Sequence, residues 1–66
     1  MLSRKFIETV RLSKERQYTI AYRAGIHPTI LSKLINGIEI AKNGDPRIIK
    51  VGKVLGLRKE ELFEKD

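Results

Sequence analysis

The chain has 66 residues, a formal net charge of +6, a single histidine and no cysteine. A chain of this length has room for one hydrophobic core, so we expect a single domain over residues 1–66. Because disulfides and thiolate metal sites need cysteine and imidazole clusters need several histidines, we expect no metal or other cofactor, and the reducing cytoplasm is the expected location.

The first predicted helix covers residues 3–14, with Ser3 as its N-cap. Apolar residues recur at helical spacing from the residue just before it, namely Leu2, Phe6, Ile7 and Val10. Charged residues stand between them from Arg4 onward. Because these charges interrupt the apolar residues, we expect this segment to be neither a signal peptide nor a membrane span.

The second and third predicted helices, residues 18–24 and 28–36, meet at a glycine corner. Gly25 can adopt the left-handed conformation that ends the first of them. His27 can serve as the N-cap of the next helix and Pro28 as its first residue, where the missing N–H and the fixed φ cost nothing. This outline is typical of a helix-turn-helix, which places its second helix in the DNA major groove.

The helix predicted over residues 28–36 has two different faces at 100° per residue. Its inward arc is apolar: Ile30, Leu31, Leu34, Ile35 and, by extension, Ile38. Its outward arc holds small polar groups and one cation: Pro28, Thr29, Ser32, Lys33 and Asn36. An ordinary amphipathic surface helix would explain the two arcs, but not the absence of Asp and Glu. We interpret the outward arc as a surface that approaches base edges and phosphates.

A long connection over residues 38–45 precedes the fourth predicted helix. Ile38 and Ile40 in this connection can pack into the core, which we favour, or offer an apolar patch to a second subunit. Lys42 and Asn43 can reach a phosphate or lie in a solvated loop.

Asp45 and Pro46 repeat the N-cap and first-residue signal and open a fourth helix that ends before Gly56. Gly52 inside this helix predicts a close helix crossing. The inward residues of this helix are Ile48, Ile49, Val51, Val54 and Leu55. A short fifth helix or turn within residues 58–66 should close the core with Leu57, Leu62 and Phe63. No segment alternates long enough to predict a sheet, so we expect an all-α bundle.

The positive charge is concentrated in the half of the chain that holds the predicted helix-turn-helix. Residues 1–37 contain seven Lys and Arg against two Glu, a balance of +5, whereas residues 38–66 have a balance of +1. This asymmetry is expected if the first half faces a polyanion. A solvated basic surface would produce the same asymmetry.

The chain resembles the lambda-repressor-like, or Cro/C1-type (Xre), helix-turn-helix domains over nearly its whole length. The resemblance is carried by Gln17, Ile20, Ala21, Ala24, Gly25, Ile26, Leu31, Leu34, Asn36, Gly37, Pro46, Ile49, Val54, Leu55, Gly56, Leu57, Glu61, Leu62 and Phe63. It implies a bundle of five short α-helices that binds specific DNA sequences, usually as a dimer on a two-fold operator.

Carried over to this chain, the family pattern implies that Gln17 contacts a phosphate or a nearby base. It implies that Pro28, Thr29, Ser32 and Lys33 face bases and that Asn36 faces the DNA backbone. The chain departs from the pattern in a shorter connection before the second helix and a longer one before the fourth. It also has Ile35 where the family often has a glutamate paired with an arginine of the first helix, so we expect Arg11 to be free for a phosphate.

We therefore expect a small transcriptional regulator, such as a phage-type repressor or an antitoxin, whose partners are double-stranded DNA and a second copy of the chain. No small-molecule ligand is indicated. The alternative is a protein-interaction module of the same fold that has lost DNA binding. RNA binding is disfavoured because an aromatic stacking platform is missing. An enzyme is not expected, since His27 suits a helix cap or a phosphate contact better than a general base.

Overall fold

The computed structural model describes residues 1–64 and contains, within them, four α-helices and no extended strand. The helices are α1 (Arg4–Leu12), α2 (Gln17–Ala24), α3 (Pro28–Ile35) and α4 (Pro46–Leu55). A single 3-10 turn, Lys59–Glu61, follows α4 where a fifth helix or turn is predicted. The last two residues of that predicted element, 65–66, lie outside the described residues. The expectation of an all-helical fold is confirmed.

The helix ends follow the capping residues identified in the sequence. The Ser3 hydroxyl accepts the N–H of Phe6 at 3.0 Å and caps α1. Gly25 ends α2 in the left-handed conformation, with φ of 76°, and its short turn leads directly into α3. These positions confirm the predicted caps, while α1 ends at Leu12 rather than at residue 14.

Helix α2 lies at the centre of the bundle and packs against both α3 and α4. Its residues Ile20 and Ala21 are completely buried. The core around them draws apolar side chains from all four helices and from the segments that flank them: Leu2, Phe6, Val10, Ala24, Leu31, Leu34, Ile35, Ala41, Ile48, Val51 and Leu62. Because most of these side chains come from the predicted apolar stripes, the helical periodicity located the core correctly.

The two ends of the described chain are joined to each other. The N–H of Ser3 donates to the Leu62 carbonyl at 3.0 Å, and the N–H of Glu64 donates to the Met1 carbonyl at 3.0 Å. Lys5 also forms an ion pair with Glu61, and its hydrogen bond lowers the pKa of the Glu61 carboxyl. These contacts place the 3-10 turn against α1.

The prediction for Ile38 and Ile40 is wrong. Their side chains are 74% and 83% exposed, and Ala41 enters the core instead. Helix α3 ends at Ile35, and Gly37 then takes a φ of 74°. Because this positive φ redirects the chain, the apolar arc of α3 cannot be extended to residue 38.

The connection between α3 and α4 is held by a cluster of three charged residues. The Arg47 side chain donates to both carboxylate oxygens of Asp45, at 3.1 and 2.8 Å, and pairs with Glu39 as well. Asp45 is buried and also caps α4 by accepting the Arg47 N–H at 2.9 Å. The hydrogen bonds from Arg47 lower the pKa of the Asp45 carboxyl, and the two carboxylates raise the pKa of the Arg47 guanidinium.

Across residues 1–64, none of the helices has the length and apolar character that crossing a membrane requires.

Candidate nucleic-acid interface

The inward side of α3 is fixed by three buried side chains, those of Leu31, Leu34 and Ile35. Ile30 packs against the same core while remaining partly exposed. The outward side carries the residues predicted to face DNA: Thr29, Lys33 and Asn36 are exposed, and Pro28 and Ser32 are half-buried. Since α3 contains no Asp or Glu, its outward side presents hydroxyl, amide and ammonium groups without a carboxylate.

His27 caps the N-terminus of α3, as the sequence predicts. Its Nδ1 atom accepts the N–H of Thr29 at 3.1 Å, and its carbonyl accepts the N–H groups of Ile30 and Leu31. An Nδ1 atom that accepts carries no hydrogen, so in the neutral ring the N–H is on Nε2. The exposed imidazole therefore keeps one donor for an anion near the start of α3.

At the C-terminus of α3, three of the predicted residues are joined by hydrogen bonds. The Asn36 side-chain amide donates to the Ser32 carbonyl at 2.9 Å and to the Ser32 hydroxyl at 3.3 Å. The Arg11 guanidinium of α1 donates to the Asn36 side-chain oxygen at 3.4 Å. The expectation that Arg11 has no partner is thus corrected, since the Asn36 side-chain oxygen accepts from it.

Gln17 begins α2, one residue before the predicted start of that helix. The N-cap residue Arg16 offers its carbonyl to the N–H groups of Thr19 and Ile20 but makes no side-chain cap. The Gln17 side chain is half-buried, and within residues 1–64 it makes no hydrogen bond to α3. Of the predicted site residues, the structure therefore joins His27 to Thr29 and Arg11 to Asn36 and Ser32, but leaves Gln17 separate from both groups.

Two exposed cations are located at α3, since Lys33 lies on the helix and Arg11 of α1 donates to its C-cap residue Asn36. Arg11, Lys14 and Lys33 form no ion pair within residues 1–64, whereas Arg23 is paired with Glu15. Unpaired cations next to an acid-free helix give a positive potential that attracts polyanions. The arrangement can hold phosphates and place hydrogen-bond donors beside them.

The structure shows two exposed features that are not among the site residues predicted from the sequence. Tyr18 and Tyr22 on α2 are 50% and 67% exposed, and their rings meet edge to face with centroids 6.4 Å apart. Their spacing of four residues could have predicted this pair. An open groove of about 700 Å³ lies between α1 and the connection after α3, with Ile7, Ile35 and Ile40 among its lining residues. The groove depends on the path of the chain after Gly37, which has no simple sequence signal.

Comparisons of the chain with models of known protein families, with curated proteins and with solved structures find no match.

Proposed function

We propose that the protein binds specific sequences of double-stranded DNA and acts as a small transcriptional regulator, such as a phage-type repressor or an antitoxin. In this proposal α2 and α3 form a helix-turn-helix, and α3 enters the major groove. The observation that carries it is the outward side of α3, which is exposed at Thr29 and Lys33, free of acids and backed by three buried apolar side chains.

The side chains of this face suit the base edges of the major groove. Lys33 can donate to guanine O6 and N7, and Thr29 can offer its hydroxyl to a base or its methyl group to thymine. Pro28 can make only van der Waals contact, so it reads shape rather than hydrogen-bonding pattern. Thr29 and Lys33 lie four residues apart on one exposed face, which allows them to address neighbouring base pairs.

The groups around this face suit phosphates. Arg11 keeps several guanidinium N–H groups beyond the one that Asn36 accepts, and His27 keeps its Nε2–H. Gln17 at the start of α2 adds an amide donor. Such contacts set the position and register of a protein on the duplex, whereas base contacts supply specificity.

The second candidate function is a protein-interaction module, and the observation that favours it is the exposure of Ile38 and Ile40. Two large apolar side chains this exposed, next to an open groove, are a candidate contact surface for another protein. In a DNA-binding regulator the same patch would serve pairing with a second copy of the chain, as a two-fold operator requires.

Titration of a fluorescent duplex at several salt concentrations tests the proposal. We expect the affinity to fall by orders of magnitude over a modest increase in salt, because Lys and Arg contacts release counterions from DNA. Ile40→Ser serves as the matched control, since it alters the apolar patch and leaves the charges unchanged. Affinity for DNA that hardly changes with salt would favour the interaction module. Loss of DNA binding in Ile40→Ser with an unchanged melting transition would instead assign the apolar patch to pairing of two copies on the duplex.

A further inference from the structure

We infer that Asn36 is a positioning residue that fixes the Ser32 hydroxyl as a hydrogen-bond donor toward DNA, so that Ser32 selects a base edge carrying an acceptor. The inference rests on the proposed DNA binding of α3. It assigns a direction to a hydroxyl that on its own can either donate or accept.

The orientation of the Asn36 amide is determined by its partners. Its nitrogen lies 2.9 Å from the Ser32 carbonyl oxygen, which can only accept, and its oxygen lies 3.4 Å from a guanidinium nitrogen of Arg11, which can only donate. In the flipped amide, the Asn36 oxygen would face the Ser32 carbonyl oxygen, which also accepts. The Asn36 nitrogen would face the Arg11 guanidinium, which also donates. Arg11 and the Ser32 carbonyl therefore hold the amide with its N–H groups toward Ser32.

This orientation constrains the Ser32 hydroxyl. The Asn36 nitrogen lies 3.3 Å from the Ser32 oxygen, which accepts from it and must direct its own hydrogen elsewhere. A helical serine commonly donates to the carbonyl four residues earlier, but within residues 1–64 the Ser32 hydroxyl makes no such bond. Its hydrogen is left for a group outside the chain.

The acceptors that the major groove offers are O6 and N7 of guanine, N7 of adenine and O4 of thymine. The N4 amino group of cytosine is a donor and cannot accept from the hydroxyl. Because Asn36 occupies one of the two lone pairs of the Ser32 oxygen, we expect Ser32 to donate to guanine, adenine or thymine and to prefer each of them over cytosine at the contacted position.

The three residues also connect two helices. Arg11 belongs to α1, whereas Asn36 and Ser32 lie at the end of α3. Because Arg11 has five N–H groups, it can hold a phosphate and the Asn36 oxygen at the same time. The phosphate contact on one helix is thus linked to the base contact on the other.

The test uses the full chain and the duplex selected by it from a random pool, with all four base pairs placed in turn at each position. We expect Ser32→Ala to reduce the preference at one base pair by about 2- to 10-fold, the value of one neutral hydrogen bond. Asn36→Ala should reduce the preference at the same base pair although the hydroxyl remains, and the double variant should match Ser32→Ala.

Lys14→Ala is the control, because a cation off the α3 face should weaken binding to all four duplexes by one common factor. Asn36→Asp provides a second variant: its carboxylate can accept the Ser32 hydrogen, so it should also remove the preference. Circular dichroism melting verifies that each variant is folded.

The inference is overturned if Ser32→Ala leaves every base preference unchanged, or if Asn36→Ala keeps the parent preference that Ser32→Ala removes. In both cases salt-dependent, sequence-selective binding by the parent would leave the proposed function intact. A parent chain that selects no sequence would remove the proposed function and this inference together.

Discussion

Gly52 of α4 lies directly against the side chain of Leu62: a Cβ atom at position 52 would stand 2.6 Å from Leu62 Cδ2 and 2.9 Å from Cδ1. Leu62 is only 1% exposed and has little room to move. The close approach predicted at Gly52 therefore exists, but its partner is the side chain after the 3-10 turn rather than another helix.

Replacing Gly52 with alanine should destabilise the protein. Alanine favours the helix by about 1 kcal/mol, but overpacking a filled core costs about 1–3 kcal/mol. We expect a net loss of about 1 kcal/mol, or several degrees in Tm for a domain of this size. Thermal denaturation in a Leu62→Val background, which lacks both Cδ atoms, is the control: there Gly52→Ala should stabilise. A raised Tm for Gly52→Ala in the parent chain would contradict the packing described.

An aspartate should affect the stability of the domain differently on the two faces of α3. Leu31 is completely buried, so Leu31→Asp should unfold the domain. Thr29→Asp makes a comparable change on the exposed face and should leave the melting transition nearly unchanged while abolishing DNA binding through repulsion of phosphates. If Leu31→Asp melted like the parent, the assignment of the buried face would be wrong.

Stability should depend on pH through Asp45. Arg47 holds the pKa of this carboxyl below the ordinary aspartate value of about 3.9, so the ion pair stabilises the folded state above that pH and ceases to do so as the pH falls through the lowered pKa. Asp45→Asn keeps the cap but removes the charge, and we expect it to cost about 1–3 kcal/mol at pH 7.

Urea denaturation from pH 7 to pH 2 measures this difference. The difference in free energy of unfolding between Asp45→Asn and the parent should narrow below about pH 4. Carboxyls that do not contact Arg47, such as Glu61, contribute equally to both proteins. If the difference in free energy of unfolding between the two proteins stayed constant down to pH 2, the charge of Asp45 would not stabilise the fold.

Lys33 and Lys14 should differ in their effects on DNA binding. Lys33→Ala should cost about 1–3 kcal/mol at the preferred site and flatten the preference at one base pair, whereas Lys14→Ala should weaken all sequences equally and reduce the salt slope by about one. Binding titrations on preferred and random duplexes measure both effects. Equal losses on both duplexes for Lys33→Ala would make Lys33 a phosphate contact only, with base reading left to Thr29, Ser32 or DNA shape.

Local signals in the sequence predicted most of the helical structure. Ser3, His27 and Asp45 cap the helices at which they were expected, and Gly25 and Gly56 end α2 and α4 with positive φ. These predictions succeed because a cap or a left-handed glycine acts on the few residues beside it.

The predictions that depended on the path of the chain were less accurate. Periodicity placed Ile38 in the core, but the turn at Gly37 moved it to the surface. The hydrogen bond between Arg11 and Asn36 spans 25 positions along the chain, and its partner could not be inferred from residue 35 alone. For the candidate site, the sequence predicted which residues face outward on α3, while their hydrogen bonds required the structure.

Selection of bound sequences from a random pool of DNA duplexes with the parent chain tests directly whether the protein recognises a specific DNA sequence. We expect enrichment of a defined sequence, in two-fold symmetric halves if two copies bind together, and the loss of preference at one base pair when the selection is repeated with Lys33→Ala. A pool that shows no enrichment after repeated rounds, with the protein folded throughout, would contradict this expectation.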